Sequence, residues 1–203
     1  MSDRGPQFRV ARPEDAHAVA ELHADSWQRH YRGAYSDAFL DGEPSGFLTQ
    51  LWTERLATPS PQARTIVAEY NGEVVGFAHT LLNEDPTWGA LVDNLHVRYT
   101  LKRQGIGTRL LSLTALAVHR WSSSSGLYLW VLEQNSMAQA FYSALGGTCV
   151  ERVDVPPPGG DPARLNGRPK CLRFAWPDPS TLPNRSGSPA DADAPLGHEP
   201  LRW

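Results

Sequence analysis

The chain has 203 residues, of which 40% are hydrophobic and 20% charged, and its formal net charge at pH 7 is −3. This composition is typical of one globular domain with a sizeable core, and it excludes a wholly disordered chain. A general nucleic-acid-binding protein is usually strongly basic, whereas this chain is slightly acidic. A membrane span needs about 18 consecutive apolar residues, and no stretch of the sequence approaches that length. We therefore expect neither nucleic acid nor a membrane as a partner.

Alternating and helical apolar patterns predict strands and helices in turn. A strand over residues 8–12 leads into a helix over about 13–27, since proline at position 13 suits a first helical turn. Apolar residues within 47–52 mark a second helix. Asn71 and Gly72 then supply the positive φ angles that a two-residue turn needs, which predicts a hairpin.

The rest of the chain continues this alternation. The hairpin strands cover 65–70 and 73–78, and the later elements lie at residues 91–97, 105–120, 127–132, 136–145, 148–154 and 169–175. The predicted order is therefore β-α-α-β-β-β-α-β-α-β-β. Such an order indicates an α/β (α+β) fold in which helices cover both faces of one mixed sheet.

The C-terminal stretch differs in composition from the rest of the chain. Six of the 17 prolines lie in residues 177–203, where large apolar residues are few. Such a segment cannot bury enough surface to offset the entropy lost on ordering. We therefore predict one domain over residues 1–176 and a disordered tail over 177–203. The two cysteines, Cys149 and Cys171, are too few for a disulfide framework, which indicates reduced thiols and a cytoplasmic location.

One stretch, residues 91–111, carries an anion-binding pattern. A buried strand runs into a basic loop and then into Gly105-x-Gly107 at the start of a helix. Glycines let the backbone approach a ligand closely, and the N–H groups of a first helical turn bind phosphate. Lys102 and Arg103 add positive charge. The pattern lacks the Gly-Lys-Ser/Thr of a Walker loop and the third glycine of a dinucleotide fingerprint, so these residues alone do not name the ligand.

Three stretches together resemble the bacterial GNAT (GCN5-related) N-acetyltransferases. Residues 103–111 are similar to the acetyl-coenzyme A motif, residues 129–147 to the family's strand, Asn-containing loop and Ala-x-x-Phe-Tyr helix, and residues 12–41 to its acceptor-side helices. The resemblance implies a mostly antiparallel central sheet and acetyl-CoA as cosubstrate. The chain departs from the family at Lys102, where Arg or Gln is usual. Lysine keeps the positive charge of an arginine but lacks its planar guanidinium group, which can donate two parallel hydrogen bonds.

The resemblance also implies which residues hold the coenzyme. Backbone N–H groups of a bulged strand at Leu95, His96 and Val97 would bind the pantetheine arm and polarise the thioester carbonyl. The predicted coenzyme-binding residues are Leu95, His96, Val97, Lys102, Arg103, Gln104, Gly105, Ile106, Gly107, Thr108, Asn135 and Tyr142. The histidines match no metal-binding spacing, so we expect no metal.

Tyr142 is, by the same resemblance, the general acid that protonates the departing thiolate. Taken alone, a tyrosine after a phenylalanine on a helix is more often a core aromatic. The general base is open among Asp93, Glu133, His96 and His79, with a water relay as a further alternative. Asp93 and Glu133 are favoured because they lie on adjacent central strands. His96 is expected to point away from Asp93, because side chains alternate along a strand.

Aromatic residues are concentrated on the expected acceptor side. Trp27, Tyr31, Tyr35 and Trp88 are predicted to wall an amine pocket by stacking or cation–π contact, although Trp27 also suits a helix core.

The predicted function is transfer of an acetyl group from acetyl-CoA to a small-molecule amine by direct attack, since no Cys or Ser stands in a nucleophile context. A protein N-terminal or lysine acetyltransferase is one alternative. A non-catalytic coenzyme-A-binding sensor or interaction module is another, and a homodimer is compatible with the edge strands.

Overall fold

A single seven-stranded sheet forms the centre of the protein, of which a computed structural model describes residues 5–42, 44–123 and 126–183. The strands are β1 (Gln7–Val10), β2 (Ala63–Tyr70), β3 (Glu73–Asp85), β4 (Gly89–Val97), β5 (Leu127–Leu132), β6 (Thr148–Asp154) and β7 (Lys170–Trp176). Their order across the sheet is β1-β2-β3-β4-β5-β7-β6. Neighbouring strands run antiparallel except β4 and β5, which are parallel. The predicted class, a mixed and mostly antiparallel sheet, is confirmed.

Helices cover both faces of this sheet. They are α1 (Ala16–His30), α2 (Asp37–Asp41), α3 (Pro44–Ala57), α4 (Ile106–Trp121) and α5 (Ser136–Ala144). Helices α1 and α3 cover one face, where Trp52 of α3 packs against Phe77 of β3. The centroids of the two rings are 5.0 Å apart. Helices α4 and α5 pack on the opposite face, where Tyr142 and Leu111 share a core with Phe174.

Helix α2 is the one element of this order that the sequence pattern did not predict. It has five residues, and the Ser36 hydroxyl accepts a hydrogen bond from the Phe39 N–H at its start. A single turn shows no helical period, so the signals for it were its capping serine and the resemblance of residues 12–41 to acceptor-side helices.

The sheet splits between β4 and β5. Their pairing covers only Ala90–Val92 with Leu127–Leu129, after which the two strands diverge. On its other side, β4 stays paired with β3, but Asp93 is an extra residue in that ladder, because His79 pairs with Asn94 and Thr80 with Val92. The bulge and the divergence open a gap in the middle of the sheet.

The packed chain continues past the boundary that we predicted at residue 176. Pro179–Thr181 forms a 3-10 turn, and Leu182 is only 5% exposed, within the core that α4 and α5 cover. The proline-rich composition of this stretch predicts disorder, but the burial of one leucine, Leu182, docks it on the domain. Residues 184–203, the rest of the predicted tail, lie outside the described residues. Within the described part of the chain, every helix is too short or too polar to cross a membrane.

Candidate active site

A cleft of about 680 Å³ occupies the gap between β4 and β5. Except for Gln104, all of the predicted coenzyme residues line it: Leu95, His96, Val97, Lys102, Arg103, Gly105, Ile106, Gly107, Thr108, Asn135 and Tyr142. Gln104 lies in the turn before α4 but does not reach the wall. Of the predicted catalytic and acceptor residues, Asp93 and Tyr31 also line this cleft.

The start of α4 faces the cleft, and its geometry is that of the predicted anion-binding turn. Gly105 caps the helix with φ +83°, a conformation that glycine adopts without strain, and Arg103 has φ +64°. The N–H groups of the first turn have no acceptor within the helix, and the helix dipole is positive there. A Cβ on Gly107 would lie 3.4 Å from the Phe141 ring of α5, so a larger side chain there would narrow the cleft.

Lys102 connects this loop to the end of α1. Its Nζ donates a hydrogen bond to Nε2 of His30 at 2.7 Å, and both side chains line the cleft. Burial, together with the Lys102 charge, lowers the pKa of His30, and burial beside Arg29 lowers the pKa of Lys102. His30 is therefore neutral near pH 7 and accepts the bond. His30 lies 72 residues away in sequence, so no local motif could have identified this pair.

Beyond the bulge, β4 presents backbone donors to the gap. The Arg98 N–H bonds to the Val75 carbonyl at 2.8 Å, so the His96 N–H, two residues earlier, also faces β3. Because this direction alternates along a strand, the N–H groups of Leu95 and Val97 face the divergent β5 side. The bulge itself falls at Asp93, two residues before the segment where we expected it.

Tyr142 is buried on the α5 side of the cleft, with 9% of its surface exposed. Its ring packs against Phe141 and Trp176, at centroid distances of 5.3 and 6.1 Å. Its phenol is protonated at physiological pH, and burial raises the pKa of the hydroxyl, which makes it a weaker acid than a tyrosine in water. Nearby, Asn135 caps α5: its Oδ1 accepts a hydrogen bond from the Ala138 N–H at 3.1 Å.

The two favoured general bases differ in where they lie. The Asp93 carboxylate is at the wall of the cleft, 30% exposed, and accepts a hydrogen bond from Arg55 at 3.0 Å. The Glu133 side chain turns instead toward the sheet edge, where it pairs with Arg152 at 2.7 Å. That hydrogen bond lowers the pKa of Glu133 and weakens it as a base. The structure therefore does not bring Glu133 into the cleft.

The candidate histidines are buried and poorly basic. His79 is 3% exposed, lies outside the cleft and bonds to Thr65 at 2.8 Å, and burial lowers its pKa to about 4. Burial also lowers the pKa of His96 to about 3. The expectation that His96 points away from Asp93 is wrong, because both contact the α1–α3 side: His96 bonds to Ser26 of α1 at 2.8 Å. The extra residue at the bulge resets the alternation.

The predicted aromatic wall separates into three environments. Tyr31 lines the cleft, and burial raises the pKa of its hydroxyl to about 12. Trp27 and Tyr35, each 8% exposed, lie behind it in the helix core. Trp88 is elsewhere, under the guanidinium of Arg173 at 5.5 Å, so it does not contribute to the cleft. Trp88 lies in the turn between β3 and β4, and the sequence around it does not indicate a contact with the distant Arg173.

Several cleft residues escaped the sequence reasoning. Trp130 and Asn94 line the wall beside Asp93. Gln134 lies outside the cleft wall, and its Nε2 donates to the backbone carbonyl of Arg32, just after the end of α1, at 2.7 Å. Only Gln134 had a usable signal, because it directly precedes Asn135 of the resembled loop.

The connection between β6 and β7 packs against the segment that follows α1. The Ser36 N–H donates to the Arg164 carbonyl at 2.9 Å, and the Asn166 N–H donates to the Ala34 carbonyl at 2.8 Å. Arg164 also stacks on Phe47 at 4.9 Å. These contacts join the proline-rich connection to the segment between α1 and α2, which directly follows Tyr31.

Comparison with known proteins identifies the family. The model of the Acetyltransferase (GNAT) family matches residues 4–146. "Probable N-acetyltransferase Rv2775" of Mycobacterium tuberculosis is 32% identical over 70% of this chain and 79% of its own length. The chain belongs to the GNAT family of acetyltransferases, and the predicted family and acyltransferase class are confirmed.

Solved structures show the same fold. The PaiA N-acetyltransferase of Thermoplasma acidophilum in complex with coenzyme A matches 85% of this chain and all of its own, with a TM-score of 0.65 and 17% identity. Salmonella typhimurium YncA with acetyl-CoA matches 85% of this chain and 94% of its own, with a TM-score of 0.61 and 16% identity.

Proposed function

We propose that this protein transfers the acetyl group of acetyl-CoA to a small-molecule amine by direct attack. One observation carries the proposal. A single cleft at the β4–β5 gap brings together an anion-binding helix start at Gly105, a buried tyrosine at Tyr142 and a carboxylate at Asp93.

The cleft suits each part of the coenzyme in turn. The first turn of α4, with Lys102 and Arg103 beside it, offers N–H groups and positive charge to the pyrophosphate. The diverging strands β4 and β5 leave room for the pantetheine arm, and the backbone N–H groups of Leu95 and Val97 face it. Coenzyme A and acetyl-CoA are the ligands named for the PaiA and YncA structures, which share this fold.

The chemistry follows from that placement. The neutral amine attacks the thioester carbonyl carbon, a C–N bond forms, and the developing oxyanion is stabilised by a backbone N–H of β4. The C–S bond then breaks, Tyr142 donates its proton to the thiolate, and the nitrogen releases its surplus proton to solvent as the amide forms; Tyr142 regains a proton from solvent before the next turnover. An amine with a pKa of about 10 arrives protonated, so Asp93, directly or through a water molecule, takes up its proton.

A small acceptor is favoured over a protein segment by the packing of the segment that follows Tyr31. An extended peptide needs an open groove, whereas the backbone bonds Ser36–Arg164 and Asn166–Ala34 hold the segment after Tyr31 against the β6–β7 connection. The aromatic ring of Tyr31 and the carboxylate of Asp93 suit an amine that carries an apolar group. The two free thiols, one exposed at Cys149 and one buried at Cys171, are compatible with the cytoplasmic location that we propose.

The test is acetyl transfer from acetyl-CoA, read as released thiol, across a panel of small amines and of peptides with free N-termini or lysines. Turnover is expected with at least one small amine and not with the peptides. Turnover with peptides alone would overturn the small-molecule assignment. Tight coenzyme binding without turnover on any amine would favour the non-catalytic module.

A further inference from the structure

The seven residues after β7 form a C-terminal strap, residues 177–183, that runs along α4. The Leu182 side chain is 5% exposed and belongs to the same apolar core as Leu111 and Phe174. The Oγ of Ser112 lies 2.8 Å from the carbonyl oxygen of Pro183. One apolar anchor and one polar contact therefore hold the strap at two successive residues.

The end of the strap forms part of the coenzyme cleft. Pro183 lines the cleft together with Thr108 of α4 and with Phe141 and Leu145 of α5. The Ser112 Oγ also lies 2.8 Å from the carbonyl oxygen of Thr108, in the first turn of α4. Pro183 is thus fixed next to the anion-binding turn, on the α4–α5 side rather than at the β4–β5 gap.

We infer that the C-terminal strap supports the adenosine half of the coenzyme, and this inference rests on the proposed function. Coenzyme A is linear, with the thiol, the pantetheine arm, the pyrophosphate and the adenosine in sequence. If the pyrophosphate occupies the first turn of α4 and the pantetheine arm lies between β4 and β5, the adenosine lies on the far side of that turn. The apolar ring of Pro183 and the side chains of Phe141 and Leu145 are there to contact it.

Two truncations separate the strap from the segment after it. A chain that ends at Pro183 keeps the strap, and we expect it to bind coenzyme A as tightly as the full chain does. A chain that ends at Trp176 lacks the strap, and we expect its Kd for coenzyme A to rise about tenfold or more. Both Kd values are measured by calorimetry well below the melting temperature of the weaker variant.

A ligand without adenosine distinguishes a binding role from a structural one. 4′-Phosphopantetheine keeps the arm and one phosphate, so its Kd is expected to be the same for both truncated chains. Equal losses for both ligands, or no loss for coenzyme A, would overturn the inference. A full-length chain that binds neither ligand would instead contradict the proposed function.

A point variant covers the case in which the chain ending at Trp176 does not fold. Ser112→Ala removes the polar contact to Pro183, and it is expected to weaken coenzyme A binding about threefold while leaving 4′-phosphopantetheine unaffected. Thr114→Val is the matched control, because Thr114 is a buried α4 hydroxyl whose partner at 3.5 Å is Thr80 of β3, away from the strap. Equal effects of the two substitutions would contradict the inference.

Discussion

Arg55 of α3 donates a hydrogen bond to Asp93 of β4 at 3.0 Å, which joins helix α3 to the bulge in the sheet. The two side chains are 29% and 30% exposed, and the Arg55 guanidinium also lies 5.2 Å from the Trp52 ring centroid. The arginine holds the Asp93 carboxylate at the wall of the cleft. Asp93 can therefore have two roles, as the base that takes the amine proton and as the partner that holds α3 in place.

The Asp93→Asn variant tests the first role. Its kcat is expected to fall about 100-fold at neutral pH with little change in the KM for acetyl-CoA, because only proton removal from the acceptor is lost. The loss is expected to shrink toward pH 10, where about half of an alkylamine is already neutral. Arg55→Met is the control, since it breaks the ion pair and keeps the carboxylate. An equal loss of kcat in both variants at every pH would assign Asp93 to the structural role alone.

Buried neutral histidines are expected to make the fold sensitive to acid. His79, at 3% exposed, has a pKa lowered to about 4 by burial, and burial also holds the pKa of His23 well below its usual value of 6.5. The unfolded chain therefore binds protons that the folded chain does not. The free energy of unfolding is unaffected by these groups above about pH 6.5 and falls as the pH drops from there toward 4.

At pH 5 the free energy of unfolding is expected to be lower by about 2 kcal/mol for each such histidine. Urea unfolding at pH 7.5 and at pH 5 measures it. His79→Gln is expected to reduce the difference between the two pH values, whereas His17→Gln, with a side chain that is 74% exposed, is not. If the stability of the wild-type protein is the same at both pH values, the histidines are protonated in the folded state and this account is wrong.

Coenzyme binding is expected to depend on Gly107. Coenzyme A binds only the folded protein in our proposal, so it should raise the melting temperature. In Gly107→Val the side chain would press on the Phe141 ring, which already lies 3.4 Å from the position of a Cβ, and would narrow the cleft next to the first turn of α4. We expect the shift in melting temperature to disappear. Gly46→Val is the control, since a Cβ on this helical residue meets no atom within 4 Å.

The sequence predicted the parts of the site that depend on short-range chemistry. Gly105 and Gly107 mark the turn at which α4 begins beside the cleft, because a positive φ and a close approach need glycine, and Asn135 marks the start of α5 because it caps it. The predictions from sequence were wrong where the position of a side chain depends on a partner that is distant in the chain. Glu133 is drawn away from the cleft by Arg152, and Trp88 lies under Arg173.

A second reason for failure is register. A single extra residue at Asp93 turns His96 to the same side as Asp93, and no residue type at that position announces a bulge. The strap shows the same limit for composition. Its prolines predict disorder, yet the burial of Leu182 and the contact with Ser112 dock it on α4.

Tyr142→Phe tests the proposed general acid. The substitution removes only the hydroxyl and keeps the ring that packs against Phe141 and Trp176, so the stability is expected to change by no more than about 1 kcal/mol. Burial raises the pKa of this hydroxyl, which keeps its proton in place until a thiolate forms next to it. The turnover rate should therefore fall about 100-fold or more, while the Kd for coenzyme A stays the same.

The nature of the leaving group provides the decisive comparison. A coenzyme thiolate, with a thiol pKa of about 8.5, needs protonation to leave easily, whereas a more acidic thiol needs less help. An acetyl donor built on a more acidic thiol should therefore lose less rate in Tyr142→Phe than acetyl-CoA does. A Phe variant that uses acetyl-CoA at the wild-type rate would return Tyr142 to the role of a core aromatic residue, with the thiolate protonated by water.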